Sequence, residues 1–314
     1  KKLLYLIIML FIISLISFIA INLAPNSFFA SGELNPNITP EAIEELKAIY
    51  GLDKPLYIQF FSWIYSILQL DFGISFTSGE KVKEEILSRI PITLTINIVS
   101  MILIFIISLY FGIKSAMKKN SIFDRFTNQL SLLSFSMPSF YLALVLVLVF
   151  SIKFELFPIA GLHSVPNDGS LNYYLDFAWH LTLPIFIIVF GGIGSLILYI
   201  RALTIEILKS DYIFFARARG LDNKKILRYY ILPNLYPPVI TLLGLSLPGV
   251  IGGSVILETI FSIDGMGLLF YQSALSHDYP VIMGILIIGA FLTLIGNMFA
   301  DLILLKLNPN YNEK

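Results

Sequence analysis

Few side chains in this sequence could do covalent chemistry or hold a metal, and their spacing argues against both. The histidines His163, His180 and His277 are far apart and outside any H-E-x-x-H arrangement. Each reads as an interfacial or loop residue rather than a zinc ligand. Cysteine is absent, which removes thiolate sites, disulfides and a Cys nucleophile. No G-x-x-x-x-G-K-[ST] loop is present to cradle phosphates, and no Ser/His/Asp set is legible. Asp301 is the one acid within the last apolar stretch, where a proton-driven pump would carry a chain of carboxylates. The chemistry left is that of contact. It is concentrated in a basic, small-residue segment at 210–233 and an acidic segment at 258–280 that has no Lys or Arg.

The elements that position these segments are apolar. Hydrophobic residues make up 57% of the chain and charged residues 13%, against about 45–50% and 25% in soluble domains. A helix needs roughly 20 apolar residues to span a bilayer core. Six stretches meet that length, at Leu3–Ala24, Ile90–Ile113, Leu130–Ile152, Leu181–Ile200, Leu235–Leu257 and Val281–Leu305. The first follows a basic start at Lys1 and Lys2. Its run is longer than a signal-peptide core and no small-x-small site follows, so it reads as a span. Gly252, Gly253, Ser254, Asn97 and Asn297 suit helix contacts or a lined path. Pro184, Pro237, Pro238 and Pro248 imply kinks.

Charge sets the orientation. Lys and Arg total 21 and balance 21 acids, so no basic face favours nucleic acid. Residues 25–89 carry five bases and nine acids, 114–129 four bases and one acid, 153–180 one base and three acids, 201–234 seven bases and three acids, and 258–280 three acids. The alternation puts both termini and the second and fourth connections in the cytoplasm. The expected organisation is a first span at 1–24, an outer loop at 25–89 and a five-helix core at 90–314. In the loop, Thr39 and Pro40 start a short amphipathic helix whose face is Ile43, Leu46 and Tyr50, and Gly51 stops it. Asp71-Phe72-Gly73-Ile74-Ser75 reads as a tight turn around Gly73.

In the cytoplasmic segment Ser210 can cap a helix reaching about Ala218, Gly220 can end it, and Asp222 or Asn223 can start a second helix that runs toward Pro233. Small residues at 216, 218 and 220 leave room for a partner's side chains. A basic loop anchored to anionic lipid is the plainer reading of the same residues.

With those residues in view, the chain resembles the permease subunits of binding-protein-dependent ABC importers, in the dipeptide, oligopeptide and nickel branch. Ala216, Gly220, Leu232 and Pro233 resemble the signature of a coupling helix, and Phe215-Ala216-Arg217-Ala218-Arg219-Gly220 its form in that branch. Tyr50-Gly51-Leu52-Asp53-Lys54-Pro55, the Asp71–Ser75 turn, Ser136-Met137-Pro138-Ser139-Phe140, Glu258-Thr259-Ile260-Phe261-Ser262, Gly265-Met266-Gly267, Asp278-Tyr279-Pro280-Val281 and Asn308-Pro309 are similar in order and kind. The chain departs at Phe214, where the wider signature has Glu.

The resemblance implies an all-α membrane protein of six transmembrane helices, like a type I ABC importer permease, with no enzymatic activity of its own. It implies half of a passage for peptides, nickel or metal chelates. It also implies four partners beside the bilayer: a second homologous permease, two ATPase subunits that hold ATP and Mg, and an extracytoplasmic solute-binding protein. Peptide is favoured over nickel, whose path would show more His or carboxylate ligands. Ala216, Arg217, Ala218, Arg219, Gly220, Leu232 and Pro233 would meet the ATPase. Glu258, Phe261, Gly265, Met266 and Gly267 would meet the binding protein or line the outer mouth, where Gly265 and Gly267 permit a loop. The rival readings are a stand-alone secondary transporter or channel and a membrane scaffold.

Overall fold

The computed structural model describes residues 2–23, 54–251 and 254–307. The expected helix from Thr39 to Gly51, the motif residues Tyr50–Asp53, Gly252, Gly253 and Asn308-Pro309 lie outside them. The described elements are helical: α1 Lys2–Leu23, α2 Leu56–Leu68, α3 Val82–Met117, α4 Ile122–Ser136 and α5 Ser139–Leu146, which a π-helical stretch extends over Val147–Lys153. Then come α6 Leu171–Leu208, α7 Asp211–Ala218, α8 Asn223–Ile226, a π-helical stretch Leu227–Ile231, α9 Leu232–Ile251, α10 Val255–Ile260, α11 Met266–Leu275 and α12 Tyr279–Leu307. They fall into two compact units. One holds the chain up to Thr93 with Asp264–Leu294, and the other holds Leu94–Ile263 with the residues from Ile295.

Among the described residues, three helices are long and apolar enough to cross a bilayer alone: Val82–Met117, Leu171–Leu208 and Tyr279–Phe299. The span expected over Leu130–Ile152 is broken. Helices α4 and α5 qualify together but meet at an angle of 99°. The break falls at Met137-Pro138, where both residues are extended, because a residue before proline is pushed out of the α region. The span expected over Leu235–Leu257 is likewise divided. Ser254 caps α10, its hydroxyl accepting the Leu257 N–H.

In the first unit, Val82, Ile86, Met266, Leu269 and Val281 bury one another, and Phe18, Phe60 and Met283 form a second cluster. The turn around Gly73 is present. Gly73 has φ +83° and its N–H donates to Asp71 Oδ1 at 3.0 Å. Asp278, just before α12, fastens the following loop by accepting from the Ser75 hydroxyl at 2.6 Å and the Thr77 N–H at 3.1 Å.

In the second unit α4 and α6 approach to backbone contact. A Cβ on Gly194 would lie 2.5 Å from the Ser131 carbonyl oxygen, so only glycine fits that crossing. At one end of α6, the fully buried Ile200, Ile213, Ile226, Ile231 and Leu235 join α6, α7, α8 and α9 into a single apolar cluster. Residues 210–233 are therefore packed onto the end of the helical core.

Candidate functional site

The segment from Ser210 to Pro233 is built around an inward stripe and an outward face. On α7, Ile213 and Ala216 are three residues apart and share the inward side; both are buried. Ala216 is 2% exposed within the chain's own core. Its small size serves internal packing, which corrects the expectation that it leaves room for a partner. The outward face carries Phe214 and Phe215, 68% and 61% exposed, with ring centroids 5.8 Å apart in an edge-to-face pair. Arg217, Ala218, Arg219 and Gly220 are also exposed.

Gly220 ends α7 as its sequence position predicts. It has φ +78°, its N–H donates to the Arg217 carbonyl at 2.9 Å, and the Leu221 N–H donates to the Ala216 carbonyl at 3.2 Å. That pair of bonds is a Schellman closure, with Gly220 in its left-handed position. Among the described residues, nothing beyond its own chain neighbours lies within 4 Å of where a Gly220 Cβ would be. A side chain there would meet backbone strain and whatever docks from outside. Ser210 stands at the start of α7, but its hydroxyl donates back to the Ile207 carbonyl at 2.6 Å and does not cap. Asp222 does cap α8, accepting the Lys225 N–H at 2.8 Å. Pro233 does not stop a helix. It is the second residue of α9 and follows the π-helical stretch, and the first turn of a helix tolerates a residue without an N–H. Leu232 beside it is half-buried and Pro233 is exposed.

An ion pair absent from the sequence reading holds the base of this segment. Arg201, two turns before the end of α6, grips Asp124 with both arms: Nε to Oδ1 at 2.7 Å and Nη2 to Oδ2 at 2.9 Å. The same carboxylate accepts from the Ser115 hydroxyl, from the Asn120 N–H at 2.8 Å and from Asn128 Nδ2 at 3.0 Å. The Asp124 side chain is 4% exposed. A buried carboxylate is tolerable only when its oxygens are saturated with donors in this way. The pair fixes the ends of α3, α4 and α6 together, next to the place where α7 begins.

The residues expected to face outward are placed differently. Glu258 and Phe261 are buried at α10 and its end. The Phe261 carbonyl accepts the Gly161 N–H at 2.8 Å. Gly265, Met266 and Gly267 are buried too, and the Met266 N–H donates to Thr93 Oγ1 at 2.9 Å. Gly265 is extended and Gly267 is helical, so neither uses a glycine's freedom. The residue that does enter the left-handed region is Ser262, at φ +48°. The solvent-facing members of this stretch are Ser262 and Asp264, and Asp264 accepts from Arg89 Nε at 2.7 Å.

The sequence profile described as "binding-protein-dependent transport system inner membrane component" matches residues 108–313. That of the N-terminal part of the same membrane components matches residues 1–97. An oligopeptide transport system permease of Bacillus subtilis is 35% identical, over 95% of this chain and 93% of its own length. A dipeptide transport system permease of Lactococcus lactis is 32% identical, over 98% and 97%. A metal-staphylopine import system permease of Staphylococcus aureus is 31% identical, over 88% and 85%. Among solved structures, a chain of the inward-facing MetNI methionine ABC transporter superposes with a TM-score of 0.56. It is 17% identical, and the match covers 71% of this chain and 96% of that one. It shows that the fold is shared.

Proposed function

The chain belongs to the family of binding-protein-dependent transport system inner membrane components, as a permease subunit of an ABC importer, and from that premise we propose that it forms half of a peptide passage driven through α7. The observation that carries the reading is the coupling segment itself. A short helix presents two bare phenylalanines and two arginines to solvent while its opposite side is locked into the core. Exposed aromatics beside arginine are the residue types enriched at protein contacts. A helix fixed on one side and bare on the other transmits a push to the elements on which it sits.

The remaining subunits follow as parts of the proposal. A second, homologous permease completes the passage, two ATPase subunits holding ATP and Mg dock on the α7 side, and a solute-binding protein delivers from outside. The proposed topology has six spans, with α4 and α5 acting as one broken span and both termini in the cytoplasm. ATP-driven closure of the ATPases would shift the α7–α8 corner and so alternate the access of the passage. Peptides are the proposed solutes, on the strength of relatives named for oligopeptide and dipeptide transport. The relative named for metal-staphylopine supplies the rival cargo, a metal chelate.

The test is isolation of the subunit from its own membranes, followed by uptake. Co-isolation of an ATPase, and ATPase stimulation by the loaded binding protein, are expected. Uptake in vesicles by this chain alone, without an ATPase, would overturn the assignment. Competition of labelled dipeptide uptake by unlabelled peptides but not by a metal chelate would fix the cargo.

A further inference from the structure

A cavity of about 590 Å³ opens within the second unit between α3, α6 and α9. Its polar lining comes from all three helices: Asn97 and Ser100 from α3, Ser195 and Tyr199 from α6, and Ser246 from α9. The spacing is helical, with Gly192, Ser195 and Tyr199 on one face of α6. Gly192 keeps the wall thin, since a Cβ there would come 2.5 Å from the end of the Ile104 side chain. The rest of the lining is aliphatic and aromatic, and among the described residues no Asp, Glu, Lys, Arg or His contributes to it.

The composition of the lining points to a ligand rather than to lipid. Hydrocarbon offers no partner for an amide, three hydroxyls and a phenol, so a hollow that faced acyl chains would not gather them. Ser246 donates to the Leu242 carbonyl at 2.8 Å, which leaves its oxygen as an acceptor. The volume is that of a site for a small molecule.

We propose that this cavity is the stretch of solute path supplied by the subunit, and that it reads its solute through uncharged hydrogen bonds alone. The proposal rests on the permease reading and deepens it. Hydroxyls and a carboxamide match the main-chain amides that peptides share, and the apolar remainder accepts side chains of varied shape. A fixed charge would draw in solutes of opposite sign and hold them. A path must bind weakly enough to release. The passage therefore places no charge filter on what the binding protein delivers.

The sequence has no cysteine, so Ser195→Cys and Ser246→Cys each give this subunit a single thiol. Each variant is treated, in the assembled importer in vesicles, with a cationic and an anionic methanethiosulfonate reagent and with an apolar, membrane-soluble maleimide. Labelling is read on this subunit alone. Both water-soluble reagents are expected to react, at rates within about threefold of each other, since an uncharged cleft does not focus a field. Adding Ser246→Asp to the Ser195→Cys variant is expected to shift that ratio about tenfold or more toward the cation. Reaction with the maleimide alone would put the cavity against lipid and overturn the proposal. So would a tenfold bias before any charge is introduced. Co-isolation of the ATPase is scored on the same membranes, so a failure of the importer reading appears there and not in the reagent ratio.

Discussion

The proposed coupling segment and the turn after α10 close their helices with the same hydrogen bonds and then use the closure in opposite ways. After α7, Gly220 takes the left-handed position and Leu221 donates to the Ala216 carbonyl. After α10, Ser262 takes it, Ser262 N–H donates to the Thr259 carbonyl and Ile263 N–H to the Glu258 carbonyl. On α7 and at its end the chain leaves Phe214, Phe215, Arg217 and Arg219 in solvent. Around Ser262 it buries Glu258, Phe261 and Ile263. The lesson is that a motif at a loop does not say which side of the surface its residues occupy. One turn follows a helix with a bare face, which is the proposed docking surface, and the other is part of its own subunit's interior.

The largest expected effect is at the base of the coupling segment. Arg201→Met leaves the buried Asp124 carboxylate without its bidentate partner, and breaking a buried pair costs about 3–5 kcal/mol. Thermal unfolding in detergent should show a large drop in stability. Replacing both members, Asp124→Leu with Arg201→Met, should recover most of it, because the charge left behind causes the loss. An unchanged melting temperature in the single variant would mean that the exposed face of α7 stands on something other than this pair.

Next comes the contrast between an inward and an outward apolar side chain. Met266 is 3% exposed in the cluster with Val82 and Val281, so Met266→Ala should cost about 2–5 kcal/mol. Phe215→Ala should change stability by under about 0.5 kcal/mol yet lower ATPase stimulation by the loaded binding protein. The comparison breaks if the effects are exchanged, with Met266→Ala stable and uncoupled and Phe215→Ala unstable.

What the sequence disclosed and withheld follows the range of the interactions. The turns at Gly73 and Gly220 were legible because a glycine in a tight turn is a local demand. Asn97 was legible as a residue for helix contacts or a lined path, and it stands on the wall of the cavity between α3, α6 and α9. The Arg201–Asp124 pair was not, since its members are 77 positions apart and each looked like an ordinary loop charge. The break at Met137-Pro138 was hidden because hydropathy summed over Leu130–Ile152 registers apolarity and not direction. Pro233 was misread as a stop because nothing local announces the π-helical stretch before it. The burial of Phe261 and Met266 was missed because residues between spans were taken as surface.

The third effect is smaller and sharper. Gly220→Val forces a β-branched residue into the left-handed region, at a cost of about 1–2 kcal/mol or more. With open space around the new Cβ among the described residues, the subunit should still insert at normal levels. Uptake and stimulated ATPase activity, measured at matched membrane levels, should fall. Gly220→Asn is the control, since asparagine enters that region at lower cost. Full activity in Gly220→Val would remove the coupling role from this corner.

The smallest effect has the opposite sign and tests whether the two closures are equivalent. Ser262 sits at φ +48° with a Cβ, a conformation that costs a non-glycine residue about 1–2 kcal/mol. Ser262→Gly removes that strain, but glycine gives the unfolded chain more freedom, which returns about 0.4–1 kcal/mol. The net should be a gain between about 0 and 1.6 kcal/mol, the difference of those two terms. It should appear as a small rise in melting temperature with transport unchanged, because the neighbours of Ser262 face inward. If the gain appeared together with a loss of uptake, the strain at Ser262 would belong to the transport cycle. The outer turn would then join the coupling corner as a moving part, and the division between a docking surface and a packed interior would no longer describe the two ends of this subunit.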